Sequence, residues 1–241
     1  SLRAIGDAYL GANMRQQAID FYIEAFNVLN TLEGADHLKI HISPNLILTL
    51  LKIRETDKAL VYLKQLEVLF DKYPTTSTLF YVSICRAYYY VVTNQPDKAL
   101  IYITEATKAN SEHDYPYMRF VLDYLHASYY KQNKQYDRAL EKYGNLIKEI
   151  NPAYSPNQHI QLNLQQAQLL SKLGQTDQAC LIYQTANVLQ DSLDNLSYVR
   201  QINELRTIYQ IDQMEIQNQQ ERNQTILSVS YTHLRAHETL A

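Results

Sequence analysis

With 241 residues, 46% of them hydrophobic and 20% charged, the chain carries enough apolar material for a substantial core and falls outside the disordered class. A formal net charge of −3 supplies no basic field for nucleic acid, and only 5 Gly and 6 Pro leave little material for glycine-rich loops or sheet turns. Long stretches rich in Leu, Ile, Ala, Gln and Tyr predict an all-α chain, in which the 21 Tyr fill grooves between helices while their hydroxyls reach water or a backbone carbonyl.

In chain order, helix pairs are predicted at about 1–11 with 15–31, 44–54 with 57–72, and 77–93 with 97–110. A fourth follows at about 116–132 with 136–150, and a fifth at about 157–173 with 177–190. Turn signals separate the partners at Glu55-Thr56, Asn94-Gln95-Pro96, Gln132-Asn133-Lys134 and Gly174-Gln175-Thr176. Between pairs, the segments holding Pro74, Pro116, Pro152 and Pro156 stop the second helices, and Ser43-Pro44 reads as a loop edge. Pro96 suits a first helical turn, where a missing N–H costs nothing, and the acid after it complements the helix dipole.

The second helices share a phrase. Ala18-Ile19, Ala59-Leu60, Ala99-Leu100, Ala139-Leu140 and Ala179-Cys180 follow one another at spacings of 41, 40, 40 and 40 residues, which marks a stacked repeat. Asp57, Asp97, Asp137 and Asp177 each precede the alanine by two; Tyr22, Leu63, Ile103, Tyr143 and Tyr183 each follow it by four. A large residue one turn beyond a small one predicts a packed helix face, with Ala59, Ala99, Ala139 and Ala179 buried within the pairs. In the first helices, Gly6, Ile47, Ala87, Ala127 and Ala167 lie twelve residues upstream of the alanines, and Tyr9, Leu50, Tyr90, Tyr130 and Leu170 nine upstream.

A small residue, an aromatic three later, then alanine and an aromatic in a second helix resembles the tetratricopeptide repeat. The fullest match is Ile5-Gly6-x-x-Tyr9 leading to Ala18-x-x-x-Tyr22 and Ala25. The chain departs from that family in having no Trp and a period of 40 rather than about 34, which implies longer helices or longer loops between repeats. The resemblance implies a right-handed α-solenoid of about five helix pairs over 1–190, ending in a long C-terminal helix.

From Asp191 the spacing stays helical through Leu196, Val199, Ile202, Leu205, Ile208, Tyr209, Ile211 and Met214, but no alanine phrase follows. Residues 191–228 therefore read as a capping helix and a polar, Gln-rich stalk, whose unpartnered helix offers a surface for homodimerisation. Leu205-Arg206-Thr207-Ile208-Tyr209 before a Gln/Glu-rich helix resembles the sensor region of membrane-anchored bacterial signalling proteins, in which repeats precede a membrane helix and a histidine kinase or DNA-binding output domain. That resemblance implies an apolar stretch of about 20 residues downstream of Leu227 and a place in the cell envelope, with a soluble cytoplasmic scaffold or co-chaperone-like adaptor as the alternative. Val229 to Thr239 resembles the conceptual translation of a transposase-type sequencing adapter, so residues 229–241 are read as non-native and the natural chain as continuing beyond both ends of this one.

No catalytic constellation emerges. The five Gly cannot form a phosphate loop, and His37 and His41 have no nearby third ligand of convincing spacing. His113, His126 and His159 fall in different repeats without a nucleophile, and Cys85 and Cys180 read as buried spectators rather than a disulfide. No cofactor or metal is expected, and the partner class is a protein or peptide. The family resemblance places that partner in the groove lined by first helices, against Tyr81 with Tyr88, Val121 with Ser128, and Gln161 with Gln168, plus Tyr124 and Lys131. The same tyrosines serve equally well as packing between repeats. The groove lacks the repeated Lys and Asn array with which carboxylate-clamp members of the family capture a peptide C-terminus.

Overall fold

The computed structural model describes residues 1–111, 116–196, 214, 215, 217–219 and 222. The chain divides into two compact units, Ser1–Gln190 and Asp191–Ala241. The first contains α1 (Leu2–Gly11), α2 (Arg15–Asn30), α3 (Asp36–Lys52), α4 (Thr56–Lys72), α5 (Thr76–Val92), α6 (Pro96–Asn110), α7 (Pro116–Gln132), α8 (Tyr136–Glu149) and α9 (Pro156–Lys172). Residues 176–196 (α10) are also helical, and the division between the units falls within this stretch. Among the described residues there is no strand. In the second unit the described residues 191–196, 214, 215, 217–219 and 222 are helical, and Leu196 and Met214 are exposed. Residues 197–213 and 223–241, which hold the Leu205–Tyr209 motif, much of the stalk and the adapter-like segment, lie outside the described residues.

The first unit is an α-solenoid of helix pairs. α1 packs on α2, α3 on α4, α5 on α6 and α7 on α8; α2, α4, α6 and α8 each pack on the next pair, and α3, α5 and α7 stack in succession. The alanine phrase makes this possible. Ala18, Ala59, Ala99 and Ala139 are completely buried and Ala179 nearly so, as are Ala87, Ala127 and Ala167 in the first helices. Small side chains at both faces let the first, third, fourth and fifth pairs approach closely, the second having Ile47 opposite Ala59, and Tyr22, Leu63, Ile103 and Tyr143 fill the space beside the alanines. The closest approach is in the first pair. A Cβ at Gly6 would come within 2.7 Å of a ring carbon of Tyr22, so only glycine fits there without a shift.

The turn within each pair has its own repeat. Asn13, Arg54, Asn94, Lys134 and Gly174 have φ of 61, 65, 57, 58 and 79°, the left-handed conformation that ends a helix. The amide after each donates back to the carbonyl of Tyr9, Leu50, Tyr90, Tyr130 and Leu170 respectively, closing a Schellman motif. The large residue nine before the alanine thus has two uses: its side chain packs, and its carbonyl anchors the turn into the next helix.

Two expectations are corrected. α3 begins at Asp36 rather than near 44, and Ser43-Pro44 is helix interior rather than a loop edge. Pro44 removes one helical hydrogen bond, a local cost of about 3 kcal/mol. Burial of Ile40, Ile42, Leu46, Ile47, Leu50 and Leu51 along the same helix outweighs it, at about 2 kcal/mol for each buried aliphatic side chain. Cys180 is exposed, not a buried spectator, because it follows Ala179 on the outer side of α10; Cys85 is buried, and both are free thiols.

Candidate groove on the first helices

The stacked helices α3, α5 and α7 supply the wall on which the groove residues were expected. Tyr81 is half-buried on α5, with its ring edge-on to His41 of α3 at 6.0 Å. Tyr88, one turn before the end of α5, stacks nearly parallel on Tyr124 of α7 at 6.1 Å, and Tyr124 meets Tyr143 of α8 edge-on at 6.0 Å. Both ring spacings lie in the range of favourable aromatic pairs. Burial pushes the Tyr88 and Tyr124 hydroxyls above the usual phenol range; for Tyr88 the neighbouring Tyr124 adds to the effect.

Ser128 is not a groove residue. It is buried, and its hydroxyl donates to the Tyr124 carbonyl at 2.9 Å, leaving its oxygen to accept from the Tyr143 hydroxyl at 3.2 Å. A buried phenol needs a partner, and that need turns Ser128 inward. Val121, its companion in the expected set, is half-buried.

Gln161 and Gln168 are exposed on α9. Lys131, at the end of α7, bridges to that helix: its ammonium donates to Oε1 of Gln165 and of Gln168, each at 2.6 Å. Burial lowers the Lys131 pKa. The structure therefore joins Tyr88 to Tyr124 and Lys131 to Gln168, with Tyr81 and Gln161 on the same series of first helices.

Sequence reasoning missed four residues, Asn157, Arg15, Lys52 and Tyr117, because they come from the ends of helices. Asn157, at the start of α9, donates from Nδ2 to the Gly11 carbonyl at 3.4 Å, bringing the α1–α2 turn back against the last first helix. Arg15, the first residue of α2, then lies close enough for its charge to lower the pKa of Lys52 and to oppose the rise at Tyr88 and Tyr124. Lys52, in the last turn of α3, is solvent-accessible, yet surrounding protein desolvates its ammonium and is the main cause of its lowered pKa. Tyr117 combines the same two properties: it is 63% exposed, while burial raises its hydroxyl pKa, with Tyr81 and Asp7 adding to the rise and Arg3 opposing it. Water contact together with close protein on several sides is the signature of a concave wall, so the two observations agree.

Asp7 on α1 is fully engaged. It accepts from the Tyr22 hydroxyl at 2.6 Å and from Asn45 at 3.0 Å, and pairs with Arg3 at 3.6 Å. His37 is hydrogen-bonded to the Gly34 carbonyl, and no group of three potential metal ligands occurs among the described residues. No described helix is long and apolar enough to cross a membrane. No protein-family model matches the chain, and no curated protein matches it.

Proposed function

We propose that this chain is a non-catalytic tetratricopeptide-like scaffold that binds an extended segment of a partner protein along its first helices. What supports the reading most directly is the set of aromatic and amide side chains on the first helices: Tyr88 stacked on Tyr124, with Gln161 and Gln168 exposed on α9. Flat rings take up side chains or peptide planes at low entropic cost, and the amides supply both donors and acceptors for a backbone. Placement of the scaffold in a membrane-anchored bacterial sensor rests on the resemblance at Leu205–Tyr209; a soluble adaptor is the alternative.

The test is selection of peptides from a random display library on the full chain, followed by affinity measurements on substituted proteins. Tyr88→Ala and Gln168→Ala are expected to weaken the selected peptides about tenfold while preserving the helical spectrum, as truncation of contact residues does. Tyr143→Ala is expected mainly to lower stability, by about 3–5 kcal/mol, because it empties a fully enclosed site. Equal loss of melting temperature in all three with no selective binding defect, or no peptide enriched at all, would overturn the reading.

A further inference from the structure

Among the described residues, Arg15, Lys52 and Lys131 have no anionic counterpart: no carboxylate lies within ion-pair distance of any of the three. By contrast, the acid on the α1 side, Asp7, is already committed to Tyr22, Asn45 and Arg3. Lys131 is held by neutral amide oxygens. For Lys52 and Lys131 there is a bland explanation, since a cation in the last turn of a helix is favoured by the negative end of the helix dipole. That explanation fails for Arg15, which opens α2 at the positive end, where the dipole repels it. Besides its desolvation, the Lys52 ammonium is disfavoured by the charge of Arg15 rather than relieved by an acid. Like charges near one another, as Arg15 and Lys52 are, and a desolvated ammonium such as Lys131 are costly in the free protein and become favourable when an anion binds.

Resting on the peptide-binding reading, we infer that the groove selects a segment rich in carboxylate side chains, held by Arg15, Lys52 and Lys131 while its backbone lies over Tyr88 and Tyr124. An extended acidic peptide fits better than a single small anion, because the cations are distributed over the ends of three helices rather than gathered around one point. Arginine offers a planar fork to one carboxylate, and the two lysines act as point charges for its neighbours. The recognised groups are side-chain carboxylates, not a chain terminus.

The experiment titrates the full chain with a fluorescein-labelled peptide of alternating glutamate and glycine, its C-terminally amidated form and its glutamine counterpart. Glutamate peptide is expected to bind at low salt, to weaken as salt rises, to be insensitive to amidation and to exceed the glutamine peptide at least tenfold. Arg15→Gln and Lys52→Gln should each reduce its affinity about tenfold, the loss typical of a charge-assisted contact, while Lys58→Gln, which removes an exposed charge paired with Glu55, should not. Unchanged melting temperatures exclude a folding defect. If glutamate and glutamine peptides bind equally and Tyr88→Ala weakens both, charge selection is wrong and the groove reading stands. Loss on amidation would mean terminal capture, binding indifferent to Arg15→Gln and Lys52→Gln would place the acidic peptide elsewhere, and no binding of the glutamate peptide would remove selectivity for acids; each overturns the inference. Failure of the library-selected peptides as well would remove the groove reading with it.

Discussion

The first and fourth helix pairs solve one packing problem with different residues. Each places a tyrosine from its second helix between the two helices, Tyr22 in one and Tyr143 in the other, and each encloses it almost completely. In both, the hydroxyl is met by the residue fifteen positions earlier: Asp7 for Tyr22 and Ser128 for Tyr143. The small residue just before that partner differs. Gly6 admits the Tyr22 ring so closely that a Cβ would collide with it, whereas Ala127 sits buried in the equivalent place opposite Tyr143. A buried phenol therefore imposes two local demands, space beside the ring and an acceptor at its tip, and the intervening pairs escape both by using Leu63 and Ile103.

That contrast is broken most severely by Gly6→Ala. The substitution gains about 1 kcal/mol of helix propensity, but Tyr22 is enclosed and tethered to Asp7, so its ring cannot yield, and overpacking costs up to about 3 kcal/mol. A net destabilisation of about 2 kcal/mol is expected in urea unfolding; an unchanged or raised midpoint would mean that the first pair is not so tightly closed. Ser128→Ala comes next. It strands the Tyr143 hydroxyl, at about 1.5 kcal/mol, and Ser128→Ala combined with Tyr143→Phe should recover most of the loss. Failure of the double variant to recover would show that the hydroxyl pair contributes nothing to the fourth pair.

The smallest effect sharpens the comparison at the turns. Lys134 and Gly174 hold the same left-handed position in successive pairs, and only the glycine does so without steric cost. Lys134→Gly relieves about 1–1.5 kcal/mol of conformational strain and returns about half of that in unfolded-chain entropy, for a net gain of about 0.5 kcal/mol. Gly174→Ala should move stability the other way, by about 1 kcal/mol. Parallel melting curves of the two variants decide whether the turns are equivalent.

What the residue pattern determined alone is the pairing of helices. An alanine every 40 residues, with a large residue one turn on, demands a close partner helix wherever it occurs, and that demand is local enough to read without coordinates. The same local chemistry hid the roles of Ser128 and Pro44, because register shows which side of a helix a residue occupies but not which neighbour meets it there. Ser128 turned to a tyrosine of the next helix, and Pro44 was carried inside α3 by the burial around it. The proximity of Arg15 to Lys52, and the hold of Gln165 and Gln168 on Lys131, were legible only in three dimensions, because these residues belong to different helices and share no motif. Short-range periodicity specifies the repeat; only the packing of one helix on the next decides which side chains from different repeats meet.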